Sequence, residues 1–160
     1  MTLISIAEQR QALYNVFTQV DNLSTVFQRF PREIQESELP ALIIRIDDGE
    51  YMLSSDAYGS RVLVHKRNWV ATLYVMRVQQ GTEYQAEEAA EPFLTSIAEA
   101  LAANKRLISS AEDGNRAFDV LSDGITDSGL LMLTYNNQDY SGIEVSFSTL
   151  SEADTIPITN

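Results

Sequence analysis

The pattern of apolar and polar residues predicts two amphipathic helices. Between residues 6 and 20, apolar side chains recur at spacings of three, four and seven, which places them on one helix face. Ser5 precedes this segment and Glu8 follows three residues later, the spacing of a capping box. A second, unbroken apolar stripe covers residues 90–101, and Pro92 suits a position in the first turn of that helix.

Elsewhere the pattern is typical of β-strands. Residues 41–46 form a short apolar run after a proline, and residues 61–78 are dense in Val, Tyr, Trp and Thr. The second half of that long segment is apolar on both faces, so we expect both faces to be covered. Residues 129–135 and 140–150 predict a closing hairpin, and the alternation in its second arm indicates an antiparallel strand with one buried face.

These elements predict one α+β domain over residues 1–150, in which two main amphipathic helices pack on a mostly antiparallel sheet. A chain of 160 residues suits a single domain. Residues 47–60 are rich in acids and glycine and predict a long polar loop, with a brief strand at Tyr51 and Met52. Residues 151–160 are expected to form a flexible tail.

The charge of the chain is strongly acidic and uneven. The sequence has 23 acidic and 11 basic residues, a net charge of −12, which disfavours generic binding to nucleic acid phosphates. Four bases and no acid lie between Asp56 and Glu83, whereas seven acids and no base follow Arg116. Such segments can pair within the chain or across a subunit boundary.

The sequence predicts no catalytic site and no cofactor. His65 is the only histidine and there is no cysteine, so the chain alone cannot supply a zinc site built from these residues. Neither a nucleophile elbow nor a phosphate-binding glycine loop is present. The acids near residues 47–50 and 119–127 lack the spacing of a calcium-binding EF-hand. We therefore expect His65 to be a surface or packing residue and the protein not to be an enzyme.

The order of elements resembles that of the tail terminator and related neck proteins of long-tailed, lambda-like bacteriophages. The segments that carry the resemblance are RNWVATLYVMRV, AEPFLTSIAEALAANKRL and SGLLMLTYNNQDYSGIEVSFSTL. The resemblance implies a virion protein, made in the host cytoplasm, that forms a ring of six on the completed tail tube. Such a ring ends tube polymerisation and joins the tail to the head connector.

The same resemblance implies the partners. They are further copies of the chain, the tail tube protein, and the head connector or other neck proteins, while DNA passes through the ring without specific binding. No membrane partner is expected, because no apolar run is long enough to span a bilayer.

Two sets of residues are candidates for this role. The candidate subunit or tube interface comprises Arg61, Lys66, Arg67, Tyr51 and Met52. The second set is an acidic loop expected to face the lumen of the ring, where like charge would keep the duplex from sticking; it comprises Asp47, Asp48, Glu50 and Asp56.

Other functions stay open at this point. The chain has the features of another neck component, such as a head completion or connector-stopper protein. Its acidity also suits an inhibitor that mimics DNA and binds a basic partner. A small hydrolase would need a cleft that holds two acids, or His65 beside a nucleophile.

Overall fold

The computed structural model describes residues 3–55, 61–80, 82–109, 116–121 and 124–154. The α-helices are α1 (Ile6–Phe17) and α2 (Glu83–Ala103), and short 3₁₀ helices cover Glu36–Glu38 and Val78–Gln80. The strands are β1 (Thr25–Phe27), β2 (Ala41–Ser55), β3 (Arg61–Arg77), β4 (Arg106–Ser109), β5 (Arg116–Val120), β6 (Thr126–Asp127), β7 (Leu131–Tyr135) and β8 (Gln138–Asp154).

All of these strands belong to one mixed sheet. Its order is β1-β2-β3-β8-β5-β4, and β6 and β7 pair with β8 as well. The β1–β2 pair is parallel and the other pairs are antiparallel. The sheet curls into a half-barrel.

The prediction of a mostly antiparallel sheet packed by two main helices is therefore wrong. The domain is mostly sheet, and that sheet is mixed and curled. The reason lies in strand length, because β2, β3 and β8 have 15, 17 and 17 residues. Long twisted strands coil, so a sheet built on them encloses much of its own core.

The core lies on both faces of the central strands. On one face, Trp69 and Leu73 belong to the main core, which also receives Leu13 and Phe17 of α1 and Ile97 of α2. On the other face a smaller cluster contains Ile34, Ala41, Ile43, Tyr74 and Tyr140. Residues 69–75 of β3 are all buried, which confirms that this segment is covered on both faces.

The N-terminus of α1 is as the sequence predicts, whereas that of α2 is not. The Ser5 hydroxyl accepts from the Glu8 amide and the Glu8 carboxylate accepts from the Ser5 amide, so the predicted capping box is confirmed. Helix α2, however, begins at Glu83 behind an N-cap at Thr82. Pro92 consequently lies inside α2, and its predicted place in the first turn is wrong.

The predicted loop and tail are also corrected. Residues 47–55 continue strand β2 and pair with β3 as far as Ser55 opposite Arg61, so they are not a loop. Residues 151–154 belong to β8 rather than to a tail. The remainder of each predicted segment, 56–60 and 155–160, lies outside the described residues.

The closing hairpin is confirmed. Strands β7 and β8 are joined at Asn136 and Asn137, which both have positive φ (49° and 62°), as a two-residue turn of type I′ requires. Buried and half-buried positions alternate along residues 143–151 of β8, as the sequence predicts.

Candidate functional site

The outer edge of β2 is open over most of its length. Strand β1 pairs only with Ala41–Ile43, and no other strand lies along that edge within the described part of the chain. Arg10 ends the protected stretch: its Nη1 donates to the carbonyl oxygens of Gln28 and Ile44, where β1 and β2 diverge. The guanidinium is buried and lies 5.6 Å from the centre of the Trp69 ring. Beyond Ile44, β2 continues as an edge strand.

The first part of this edge carries a β-bulge. The pairing with β3 shifts between Ile46 and Gly49, so that Asp47 and Asp48 are both accommodated opposite Asn68. The Asn68 Nδ2 donates to the Asp48 carboxylate at 2.6 Å. Bulges and charged side chains are devices that prevent an edge strand from pairing with another sheet. The bulge and the two carboxylates at residues 47–48 therefore hinder the pairing of another strand along this part of the edge.

Arg67 fixes the geometry just past the bulge. Its Nε donates to His65 Nε2 (3.2 Å), its Nη1 to the Asp47 carbonyl (2.9 Å) and its Nη2 to the Tyr51 hydroxyl (3.1 Å). A Cβ at Gly49 would collide with the guanidinium, so only glycine allows this close approach. A single side chain thus ties both strands of the β2–β3 hairpin together.

The ring of His65 packs against the ring of Tyr51. The two rings are stacked, with centroids 4.4 Å apart and an interplanar angle of 2°. Burial, and then the nearby charge of Arg67, lower the pKa of His65. Because Nε2 accepts a hydrogen bond from Arg67, the imidazole is neutral and carries its proton on Nδ1. This arrangement confirms His65 as a packing residue.

Past Glu50, β2 presents three large, uncharged side chains. Tyr51, Met52 and Leu53 are 56%, 49% and 61% exposed, and Ser54 follows them. We call residues 51–54 the open edge. An uncharged, apolar edge strand with one row of unpaired backbone groups is suited to pairing with a strand of another chain.

The structure places all five predicted interface residues on the two strands of this hairpin. Tyr51 and Met52 lie on the open edge itself. Arg67 contacts residues of its own chain, Lys66 is half-buried opposite Glu50, and Arg61 is opposite Ser55. Of the predicted acidic loop, Asp47, Asp48 and Glu50 are exposed on β2, whereas Asp56 lies outside the described residues.

Sequence analysis missed two parts of this region. Leu53 extends the apolar run of Tyr51 and Met52. That continuity is the only feature of the sequence that could have identified Leu53 as part of the region. The role of Arg10 has no signal in the sequence, because the residue acts through contacts with Gln28 and Ile44, which are 18 and 34 residues away.

Within the described ranges, no group of three or more His, Cys, Asp or Glu is placed to hold a metal ion. Over the same part of the chain, neither α-helix has the length and apolar character needed to cross a bilayer.

Comparison with known proteins gives no family. No protein-family model matches the chain, and no match is found among curated proteins.

Proposed function

We propose that this chain is a tail terminator, a structural subunit of a phage virion. In this role, six copies form a ring on the completed tail tube, end its polymerisation and join the tail to the head connector. The observation that carries the proposal is the open edge, an uncharged apolar strand edge that Arg67 and His65 hold in place. The element order that resembles this family supports the same role.

The open edge favours assembly for a physical reason. An exposed apolar strand edge in a monomer is a site of uncontrolled aggregation, and natural proteins usually block it. Here the bulge at Asp47 and Asp48 blocks only the beginning of the exposed segment. A closed ring of identical subunits covers the remaining edge of every copy at once, without leaving a growing end.

The acidic charge suits a ring through which DNA passes. The chain has a net charge of −12, and Asp47, Asp48 and Glu50 are exposed beside the open edge. Carboxylates that line a passage repel the phosphates of the duplex and keep it from sticking. We assign these three residues to the lumen of the ring.

The native mass of the purified protein tests this function. Native mass spectrometry and analytical ultracentrifugation should detect a species of six times the chain mass of 17.9 kDa. Electron microscopy with isolated tail tubes should then show the protein at one end of the tube. A chain that stays monomeric at all concentrations and does not bind tube ends would contradict the proposal.

The same experiment separates the nearest alternatives. Another neck component would bind the head connector and leave tube ends uncapped. An inhibitor that mimics DNA would remain a monomer or dimer and would bind a basic partner tightly.

A further inference from the structure

We propose that a cavity at the end of β3 binds a small zwitterion with an apolar side chain, an α-amino acid of the size of leucine. The cavity contains one base, one acid and an apolar lining, and such a ligand matches all three. The inference does not depend on the proposed ring, because it rests on residues outside the open edge.

The cavity lies where β3 ends and the chain turns into α2. It has a volume of about 330 Å³ and is bordered by the end of β3, the N-terminus of α2, and strands β7 and β8. Ligand pockets in proteins have volumes of about 300–1,000 Å³ and combine apolar lining with a few polar groups. This cavity is at the small end of that range, so its occupant is a small molecule rather than a polymer.

A row of side chains across three strands forms the apolar part of the cavity. Met76 is opposite Ser141 and Ser141 is opposite Met132, so the three side chains lie on one face of the sheet. All three line the cavity, together with Leu130 and Val78. Methionine side chains adapt to the shape of an apolar partner. This part of the cavity therefore suits a branched aliphatic side chain.

Arg77 supplies an unpaired positive charge. It is the last residue of β3, just beyond an irregularity in the pairing with β8 between Tyr74 and Met76. Irregularities such as β-bulges re-aim side chains and are frequent beside functional sites. The Nε of Arg77 is buried, and in the described part of the chain it has no hydrogen-bond partner. A guanidinium binds a carboxylate through two parallel hydrogen bonds, so a ligand carboxylate would satisfy this group.

Glu83 brings the opposite charge to the same cavity. It is the first residue of α2 and is exposed. Arg77 and Glu83 both line the cavity, yet they form no ion pair with each other. An α-amino acid carries a carboxylate and an ammonium group on the same carbon, so it can bind the two side chains at once. A ligand with one charge would leave the other side chain without a partner.

Three probes with the same branched chain test this assignment. L-Leucine carries both charged groups, isocaproate lacks the ammonium group, and isoamylamine lacks the carboxylate. NMR titration of the native chain follows the methionine methyl signals. With leucine, the signals of Met76 and Met132 should shift and saturate, whereas that of Met52, which lies on the open edge, should not. Isocaproate and isoamylamine should each bind at least tenfold more weakly than leucine.

Variants of the two charged residues identify which group each one binds. Arg77→Gln should weaken leucine binding at least tenfold and should not weaken isoamylamine binding, because isoamylamine has no carboxylate. Glu83→Gln should weaken the binding of leucine and isoamylamine but not that of isocaproate. Arg32→Gln and Glu87→Gln are the matched controls, since both residues are exposed and neither lines the cavity. Retained binding of the one-charge analogue, with circular dichroism, shows that each variant is folded.

Several outcomes would overturn the assignment. If leucine shifts neither Met76 nor Met132 up to its solubility limit, the cavity binds no such ligand. If isocaproate or isoamylamine binds as tightly as leucine, the cavity recognises a single charge and not a zwitterion. Equal shifts at Met52 would show unspecific contact with exposed methionines. None of these results bears on the proposed ring, which is tested separately by native mass.

Discussion

At the scale of single residues, His65 has the most informative chemistry. Its imidazole is buried, stacked on Tyr51 and bound as a neutral acceptor to the Nε of Arg67. Protonation of Nε2 would replace this hydrogen bond with repulsion between two cations. The hairpin that carries the open edge therefore depends on a neutral histidine.

We predict a loss of stability at mildly acidic pH. Burial, followed by Arg67, holds the pKa of His65 below its ordinary value of 6.5 in the folded protein, whereas the unfolded chain titrates near 6.5. The unfolded chain therefore binds more protons in that interval, and stability rises with pH there. The contribution is complete above about pH 6.5 and is lost as the pH falls toward the folded pKa.

Two measurements check this prediction. NMR titration observes the only imidazole of the chain and should give a pKa below 6.5. Urea unfolding of the native chain and of His65→Gln should show a smaller loss of stability on acidification for the variant, which retains the other titrating groups. A His65 pKa at or above 6.5 would refute the neutral acceptor.

At the scale of elements, a buried chain of hydrogen bonds joins α1 to the sheet. Trp69 Nε1 donates to the Thr149 hydroxyl (2.9 Å), which donates to Gln9 Oε1 (2.7 Å), and Gln9 Nε2 donates to the Ile4 carbonyl (3.2 Å). Thr149 and Gln9 are completely buried. The Thr149 hydroxyl therefore accepts a hydrogen bond from β3 and donates one to α1.

We predict that Thr149→Val lowers the free energy of unfolding by about 2 kcal/mol or more, because it leaves a buried donor and a buried acceptor unpaired. Thr149→Ser keeps the hydroxyl and should cost less, chiefly through the lost methyl group. Urea unfolding curves of both variants measure the difference. Equal losses for Val and Ser would show that packing, rather than the hydroxyl, holds α1 in place.

The elements differ in how far the sequence determines them. The second arm of the closing hairpin was predictable, because β8 has one buried face and its residues alternate accordingly. Residues 47–54 of β2 do not alternate, since the strand is exposed there and contains a bulge. A segment that contains several acids and a glycine resembles a loop. Its local pattern does not show that it pairs with β3, and this pairing is what makes it a strand.

The candidate site was predictable to a similar degree. Tyr51 and Met52 could be identified as an apolar interruption in a polar segment. The hydrogen bonds of Arg67 to His65 and Tyr51 depend on the register between β2 and β3. That register is not encoded in residues that are close together in the sequence.

At the scale of the whole molecule, net charge bears on the proposed passage of DNA through the ring. A net charge of −12 and exposed carboxylates beside the open edge produce repulsion that is strongest at low ionic strength. We predict no binding of duplex DNA in fluorescence anisotropy at about 50 mM salt, a condition that strengthens phosphate contacts. Replacement of Asp47, Asp48 and Glu50 by the neutral amides should increase any residual DNA binding. Salt-dependent binding by the native chain would contradict an acidic lumen.

The strand order has a consequence for synthesis of the protein on the ribosome. Strand β3 ends at Arg77, and its long partner β8 begins only at Gln138. At about 5–20 residues per second, roughly 3–12 s separate their appearance. During that interval the nascent chain holds a β2–β3 ribbon whose two sides both lack a neighbour over residues 62–67 and 51–54. We therefore expect premature ribbon-to-ribbon pairing between nascent chains to be the main misfolding event of this topology. Slower elongation before β8 would worsen the yield, and a holding chaperone that shields the ribbon would restore it.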